Sequence, residues 1–231
     1  MGVRDSYAKW RRSRLGRITD ALEQQLLLEL LGDVAGLDVL DVGCGDGALT
    51  YALSRRGAHA TGLDPDPLMI AEAGARAEAA SVSIDLVRGR AEALPFADET
   101  FDRVVAVTVL CFIPEPDRAI AEMSRVLKPG GRLVIGELGR WSIWAALRRI
   151  RGWLGSSTWS AASFRTAREL RRLVERHGLQ ADGVCGAIYY PPRGLAAALM
   201  APVDPWLGQR TTVGAAFIAL RAVTTCSEST A

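Results

Sequence analysis

Residues 39–50 read Val-Leu-Asp-Val-Gly-Cys-Gly-Asp-Gly-Ala-Leu-Thr, an apolar run that breaks into three alternating glycines. No other stretch limits the fold so strongly. The apolar part suits a buried strand. Gly43, Gly45 and Gly47 lack a Cβ, so the chain can turn tightly and let a ligand touch its backbone. A helix opening near Ala48 would aim its free N–H groups at the same point. Strand, glycine turn and helix in this order form a receptor for a nucleotide-like cofactor.

Two cofactor classes fit the glycines. Gly43-x-Gly45-x-x-Ala48 satisfies the dinucleotide fingerprint, which allows alanine at its third position. Asp41, two residues before the first glycine, weighs against that reading. A carboxylate suits a cationic amine and a sulfonium, and suits a pyrophosphate badly. A second strand over 58–63 ends in Asp64-Pro65-Asp66, and an acid at that tip can accept two hydrogen bonds from a ribose diol. NAD sites share this acid, so it does not discriminate.

The stretch from Arg90 to Phe96 reads Arg-Ala-Glu-Ala-Leu-Pro-Phe, and Phe101-Asp102 opens another apolar strand. Further on comes Glu122-Met-Ser-Arg-Val-Leu-Lys128-Pro-Gly-Gly131-Arg-Leu-Val-Ile135. With Asp41 and the glycines, these segments resemble the motifs of class I S-adenosylmethionine-dependent methyltransferases, over about Leu37 to Glu137. The group resembled is the small-molecule methyltransferases that include those of quinone biosynthesis. The resemblance implies an α/β, Rossmann-like fold: a mostly parallel seven-stranded sheet, an antiparallel strand near the C-terminus, and helices on both faces. It implies S-adenosyl-L-methionine as cofactor, contacted by Asp41, Gly43, Cys44, Gly45, Gly47, Asp64, Pro65, Ala91, Glu92 and Thr108. Arg90 departs from the family pattern, in which an aspartate is common; an arginine cannot accept from the adenine amine. The adenine contact then falls to the backbone at Ala91 or to Glu92. At the N-terminus, Tyr7-Ala-Lys-Trp10 and Leu15-Gly-Arg17 resemble the lead-in that covers the cofactor, with Tyr7 closing over the methionine portion and Arg17 pairing with its carboxylate.

The implied reaction is in-line transfer of a methyl group to a small hydrophobic or aromatic metabolite. An NAD-dependent oxidoreductase keeps the turn and Asp64 but leaves Asp41 and the Lys128-Pro-Gly-Gly segment unexplained. A methyltransferase-like binding or regulatory protein without turnover is the other alternative. Because a sulfonium already activates the methyl, the chain must chiefly align the acceptor and exclude water. Glu137, His177, Tyr189, Tyr190 and Asp204 are the candidate bases or orienters, and none is assigned as catalytic. Glu137 is favoured by its place at a strand's carboxyl end; His177, before Gly178, reads as a helix-end histidine.

The net charge of +2 gives no case for nucleic-acid binding. Of 28 basic residues only Lys9 and Lys128 are lysines, a skew that fits a GC-rich genome. Four cysteines show no CxxC pair and no metal-ligand spacing, so no metal is expected and a reducing cytoplasm is the simplest setting. No run approaches the ~18 apolar residues of a membrane span.

The pattern predicts a single methyltransferase domain over 1–231: a helical cap (1–34), a cofactor-binding core (35–138), a lid or acceptor insertion (139–165), a closing helix and strands (166–223) and a tail (224–231). A helix capped by Thr19 or Asp20 is expected to run to Leu31, with others over 117–127 and 166–177. Strands are expected near 37–42, 58–63, 82–87, 101–107, 131–137, 183–190 and 212–222. Segment 140–164 holds Trp141, Trp144, Trp153 and Trp159, with Ile143, Leu147, Ile150 and Leu154 at helical spacing beside Arg148, Arg149 and Arg151. Three readings stand: a lid over the acceptor, a basic amphipathic helix resting peripherally on a membrane, or a packed helix with solvated arginines.

Overall fold

The computed structural model describes residues 9–224, except the side chains at 157–158. Strands β1 (Asp38–Val42), β2 (His59–Asp64), β3 (Asp85–Arg88), β4 (Phe101–Val107), β5 (Leu127–Leu138), β6 (Leu179–Ala187) and β7 (Phe217–Thr224) form one sheet. Its order is β3-β2-β1-β4-β5-β7-β6. The pairs from β3 to β5 are parallel, and β7 runs antiparallel to both neighbours. The helices are α1 (Arg14–Leu31), α2 (Ala48–Ser54), α3 (Pro67–Ala79), α4 (Pro116–Arg125), α5 (Ile143–Trp153), α6 (Ser157–Ser160), α7 (Ala167–Glu175), α8 (Gly194–Met200) and α9 (Asp204–Gly208).

The strands are apolar on both sides because both faces are covered. Leu40, Val104, Leu133 and Leu220 join Ile120 and Met123 of α4 and Leu170 and Val174 of α7 on one face. Their neighbours Val39, Val105, Val134 and Ala219 join Leu27 and Leu31 of α1 and Leu53 of α2 on the other. This period-two alternation builds two hydrophobic layers from one sheet. The carbonyl of Leu31, at the end of α1, accepts from Arg103 and Arg132 near the beginnings of β4 and β5. The first turns of α1 therefore lie toward the carboxyl ends of the strands.

Several boundaries differ from the sequence expectation. Helix α1 begins at Arg14, capped by Ser13, whose hydroxyl accepts from Gly16 N–H. Thr19, the expected cap, lies inside the helix, buried against the hydroxyl of Tyr190 at 3.1 Å. Helix α4 stops at Arg125, two residues early, and Lys128-Pro-Gly-Gly131 is an irregularity within β5. Phe101 pairs with Leu127 and Arg103 with Arg132, so the extra residues bulge, with Gly130 at φ 73°. The closing strands are shifted to 179–187 and 217–224.

Candidate active site

β1 delivers Asp41 to the centre of the sheet, and the chain then turns through Gly43, Gly45 and Gly47 at φ of 72°, 53° and 71°. Each needs glycine for backbone reasons, but their surroundings differ. A Cβ on Gly43 would overlap Val109, and one on Gly47 would lie 2.7 Å from Ala73. A Cβ on Gly45 would meet nothing within 4 Å. The turn is thus packed at its two ends and open at its middle, where a ligand can lie against bare backbone.

Two carboxylates flank that opening. Asp41 is buried and accepts from the Thr50 hydroxyl at 2.7 Å. Burial pushes its carboxyl up to about 6, partly opposed by the Thr50 bonds. No cation pairs with it among the described residues, so a cationic ligand would restore its charge. Asp64, at the end of β2, accepts from Gly45 N–H at 3.0 Å through one oxygen and from Asp66 N–H at 2.9 Å through the other. It fixes the turn and keeps lone pairs for a diol. The open glycine, the unpaired buried acid and the oriented second acid fit the methionyl amine and ribose of S-adenosylmethionine. Cys44 is buried beneath the turn, and burial pushes its thiol up, leaving it unreactive. Pro65 is exposed and its carbonyl faces Arg88.

Ala91 and Glu92 are both buried beyond β3. Arg90 pairs with Glu92 at 2.9 Å, so the residue that departs from the family pattern engages the neighbouring acid. Thr108, directly after β4, has φ 52°, an uncommon conformation for a β-branched residue. Its N–H donates to Gly136 O at 2.7 Å, and Leu110 N–H donates to Glu137 at 2.8 Å. Strain of this kind gathers at functional sites and is held by its surroundings.

Glu137 is the residue that holds this turn. It is wholly buried, and burial pushes its carboxyl up to about 7. The other candidate bases have structural partners. His177 lies 3.2 Å from Asp117 across the contact between α7 and α4. The Tyr189 hydroxyl donates to Thr211 O, and burial pushes it up to about 12. Asp204 accepts from Ile188 and Tyr189 N–H at 2.8 and 2.9 Å, clamping a turn in which Ile188 has φ 66°.

Tyr7 lies outside the described residues. Arg17 is exposed and donates to Arg12 O at 3.2 Å; it is not brought to the glycine turn. Arg11 is. It binds Asp20 at 2.6 Å and Asp46, between the second and third glycines, at 2.9 Å. Arg76 of α3 grips Asp46 from the other side. Sequence inspection missed Arg11 because several nearby arginines look equivalent and Asp46 is far away in the chain.

In α5 the apolar stripe faces solvent. Trp153 and Leu154 are 84% and 81% exposed, so these two side chains do not pack against the described residues. Trp144 is buried, donating through Nε1 to Tyr190 O at 2.7 Å. Arg148 lies over Trp144 and Trp159, and Arg149 over Phe164, so these two arginines cover aromatic faces instead of being merely solvated. No described helix is long and apolar enough to cross a membrane.

The sheet order, the inserted antiparallel strand and the acid-flanked glycine turn define a methyltransferase nucleotide fold. A family model described as a methyltransferase domain matches residues 40–135, and the chain belongs to the class I S-adenosylmethionine-dependent methyltransferases. It is 35% identical over 188 residues to the ubiquinone biosynthesis O-methyltransferase of Methylobacterium sp. (strain 4-46), covering 78% of this chain and 76% of that one. The enzyme of the same description from Azorhizobium caulinodans is 31% identical, with 78% and 74% covered. Among solved structures, a possible histamine N-methyltransferase from Thermotoga maritima superposes with a TM-score of 0.74 at 23% identity, covering 96% of each chain. The protein is a methyltransferase that uses S-adenosylmethionine, and the oxidoreductase and non-catalytic alternatives are set aside.

Proposed function

We propose that the acceptor is a small, hydrophobic or aromatic molecule methylated on a hydroxyl oxygen. The cofactor supplies a methyl group already activated on its sulfonium. Asp41, the Gly43–Gly47 turn with Cys44, and Asp64 with Pro65 hold it; Ala91 and Glu92 border its base; Thr108 lines the path between cofactor and acceptor. The acceptor class rests on the curated relatives and on the aromatic cluster that Trp10 joins, whose neighbour Arg11 reaches the turn. Trp10 meets Trp144 edge-on at 6.4 Å, and Trp144 is bonded to Tyr190. Arg11, next to Trp10, binds the glycine turn through Asp46. The curated relatives bear the description of O-methyltransferases.

In this reading 1–34 caps a cofactor core over 35–138, 139–165 forms a lid and 166–223 closes the sheet, all within one cytoplasmic domain with the tail at 224–231. The test is calorimetric titration with S-adenosylmethionine, S-adenosylhomocysteine and NAD, beside Asp41→Ala, followed by a screen of hydroxylated aromatic acceptors. Binding of both sulfur nucleotides, weakened by the substitution, and turnover of a phenol or catechol support the reading. Methylation confined to amines or thiols refutes it.

A further inference from the structure

The apolar side chains left outside the core are concentrated in two segments. Among the described residues thirteen large hydrophobic side chains are exposed, and eleven of them lie within 141–154 and 195–213. In α5 the stripe Ile143, Leu147, Ile150 and Leu154 is exposed, while Trp144 and Ala145 are buried. A surface helix in water turns its apolar stripe the other way. In α8, Leu195 and Leu199, one turn apart, are exposed while Ala197 between them is buried. Val203 and Trp206, at the start of α9 and within it, are further exposed apolar groups.

Both segments are seated on the first turns of α1. Trp144 of α5 meets Trp10 edge-on at 6.4 Å and donates to Tyr190 O, just ahead of α8. Ala196 and Met200 of α8 pack on the same buried layer as Leu15 and Ile18, and a Cβ on Gly194 would lie 3.8 Å from the Leu15 backbone nitrogen. Those turns lie toward the carboxyl ends of the strands, so the two exposed faces border the end of the sheet that carries the glycine turn.

Charge decides what covers them. Residues 138–168 hold six arginines and no acid, and residues 188–213 hold two arginines and one acid, the buried Asp204. Glu169 engages Arg140 and the Leu110 carbonyl engages Arg165, but Arg151, Arg193 and Arg210 are exposed. A second copy of this chain, related by a two-fold axis, would set like charges against each other. An anionic bilayer supplies the opposite charge and takes up the apolar side chains. The exposed indoles of Trp141, Trp153 and Trp206 suit the level of its headgroups. We propose that 141–154 and 195–213 together form a peripheral docking face for an anionic lipid bilayer. The inner side of α5 stays against the protein while its outer side meets lipid. Docking of this kind is independent of which acceptor is methylated, so its test needs no turnover.

The full chain is sedimented with vesicles of phosphatidylcholine alone or mixed with phosphatidylglycerol. Wild type should pellet with the mixed vesicles and not with phosphatidylcholine, and the preference should vanish in about 1 M salt, where the Debye length is about 3 Å. Each arginine near such a surface contributes a factor of about five, so Arg151→Glu with Arg193→Glu should weaken binding at least about 25-fold. Leu195→Ser with Leu199→Ser, which removes apolar contact and no charge, should weaken it more than about tenfold. Both variants should bind S-adenosylhomocysteine within about threefold of wild type by calorimetry, since surface changes of this kind leave the fold in place. Wild type that pellets with neither vesicle, or equally with both, overturns the inference, as does undiminished pelleting of both variants. A lipid-free dimer in sedimentation equilibrium, abolished by the Leu195→Ser and Leu199→Ser pair, assigns the face to a second copy and overturns it too.

Discussion

Replacing Glu137 by glutamine separates a structural carboxyl from a catalytic one. The carboxyl is wholly buried, with its ordinary value of 4.5 raised to about 7 by burial, against the opposing influence of Arg165. Between those values the folded chain keeps a proton that the unfolded chain has lost. Stability therefore falls as pH rises from about 4.5, and it levels off above about 7. A separation of this size corresponds to about 3 kcal/mol. Glutamine retains an oxygen for Leu110 N–H but cannot ionise, so this decline should vanish. Relative to wild type, Glu137→Gln should gain about 3 kcal/mol between pH 4 and pH 8, read from urea unfolding midpoints at several pH values. If its role is to hold Leu110 N–H, turnover at pH 7.5 should stay within about threefold of wild type. Parallel stability curves would refute the buried-charge argument; a loss of kcat with unchanged stability would return Glu137 to the chemistry.

The glycine turn makes a paired prediction. Gly43→Ala, whose Cβ overlaps Val109 in addition to straining a left-handed backbone, should cost about 2–5 kcal/mol of stability by thermal melting. Gly45→Ala should cost only the roughly 1–2 kcal/mol of its left-handed backbone yet weaken S-adenosylhomocysteine binding far more, and equal affinity would contradict the open-cradle reading. Arg11→Ala should reduce that affinity by about 1 kcal/mol, because its ion pairs with Asp20 and Asp46 are partly exposed, whereas Arg17→Ala should leave calorimetric affinity unchanged. Trp153→Ser with Leu154→Ser should leave the melting temperature in place, within about 0.5 kcal/mol, while raising KM for a hydrophobic acceptor. Sedimentation of the same variant with anionic vesicles then distinguishes a lid from a peripheral membrane contact, as only the latter loses pelleting.

The legible parts of this chain were those whose chemistry is local. Asp41, the three glycines and Asp64 lie on or beside the strands they terminate, so the strand and turn were legible locally, and the family resemblance marked them as cofactor contacts. Ser13 was overlooked as a cap because the apolar periodicity becomes regular only after Thr19, and Thr19 itself was misread because its buried partner, Tyr190, is 171 residues away. Lys128-Pro-Gly-Gly131 has the composition of a helix stop, yet pairing of the strand on both sides of it makes it a bulge.

β7 follows β6 in the chain but lies between β5 and β6 in space. During synthesis, the edge of β5 therefore waits for a strand that emerges after β6, and β6 has no strand partner in the sheet until β7 arrives. The cofactor turn can be made early from short-range pieces, whereas closure of the sheet depends on long-range pairing that is intrinsically slow. A nascent chain stalled before Phe217 would expose an open strand edge prone to association, so chaperone capture should be most critical until β7 has emerged.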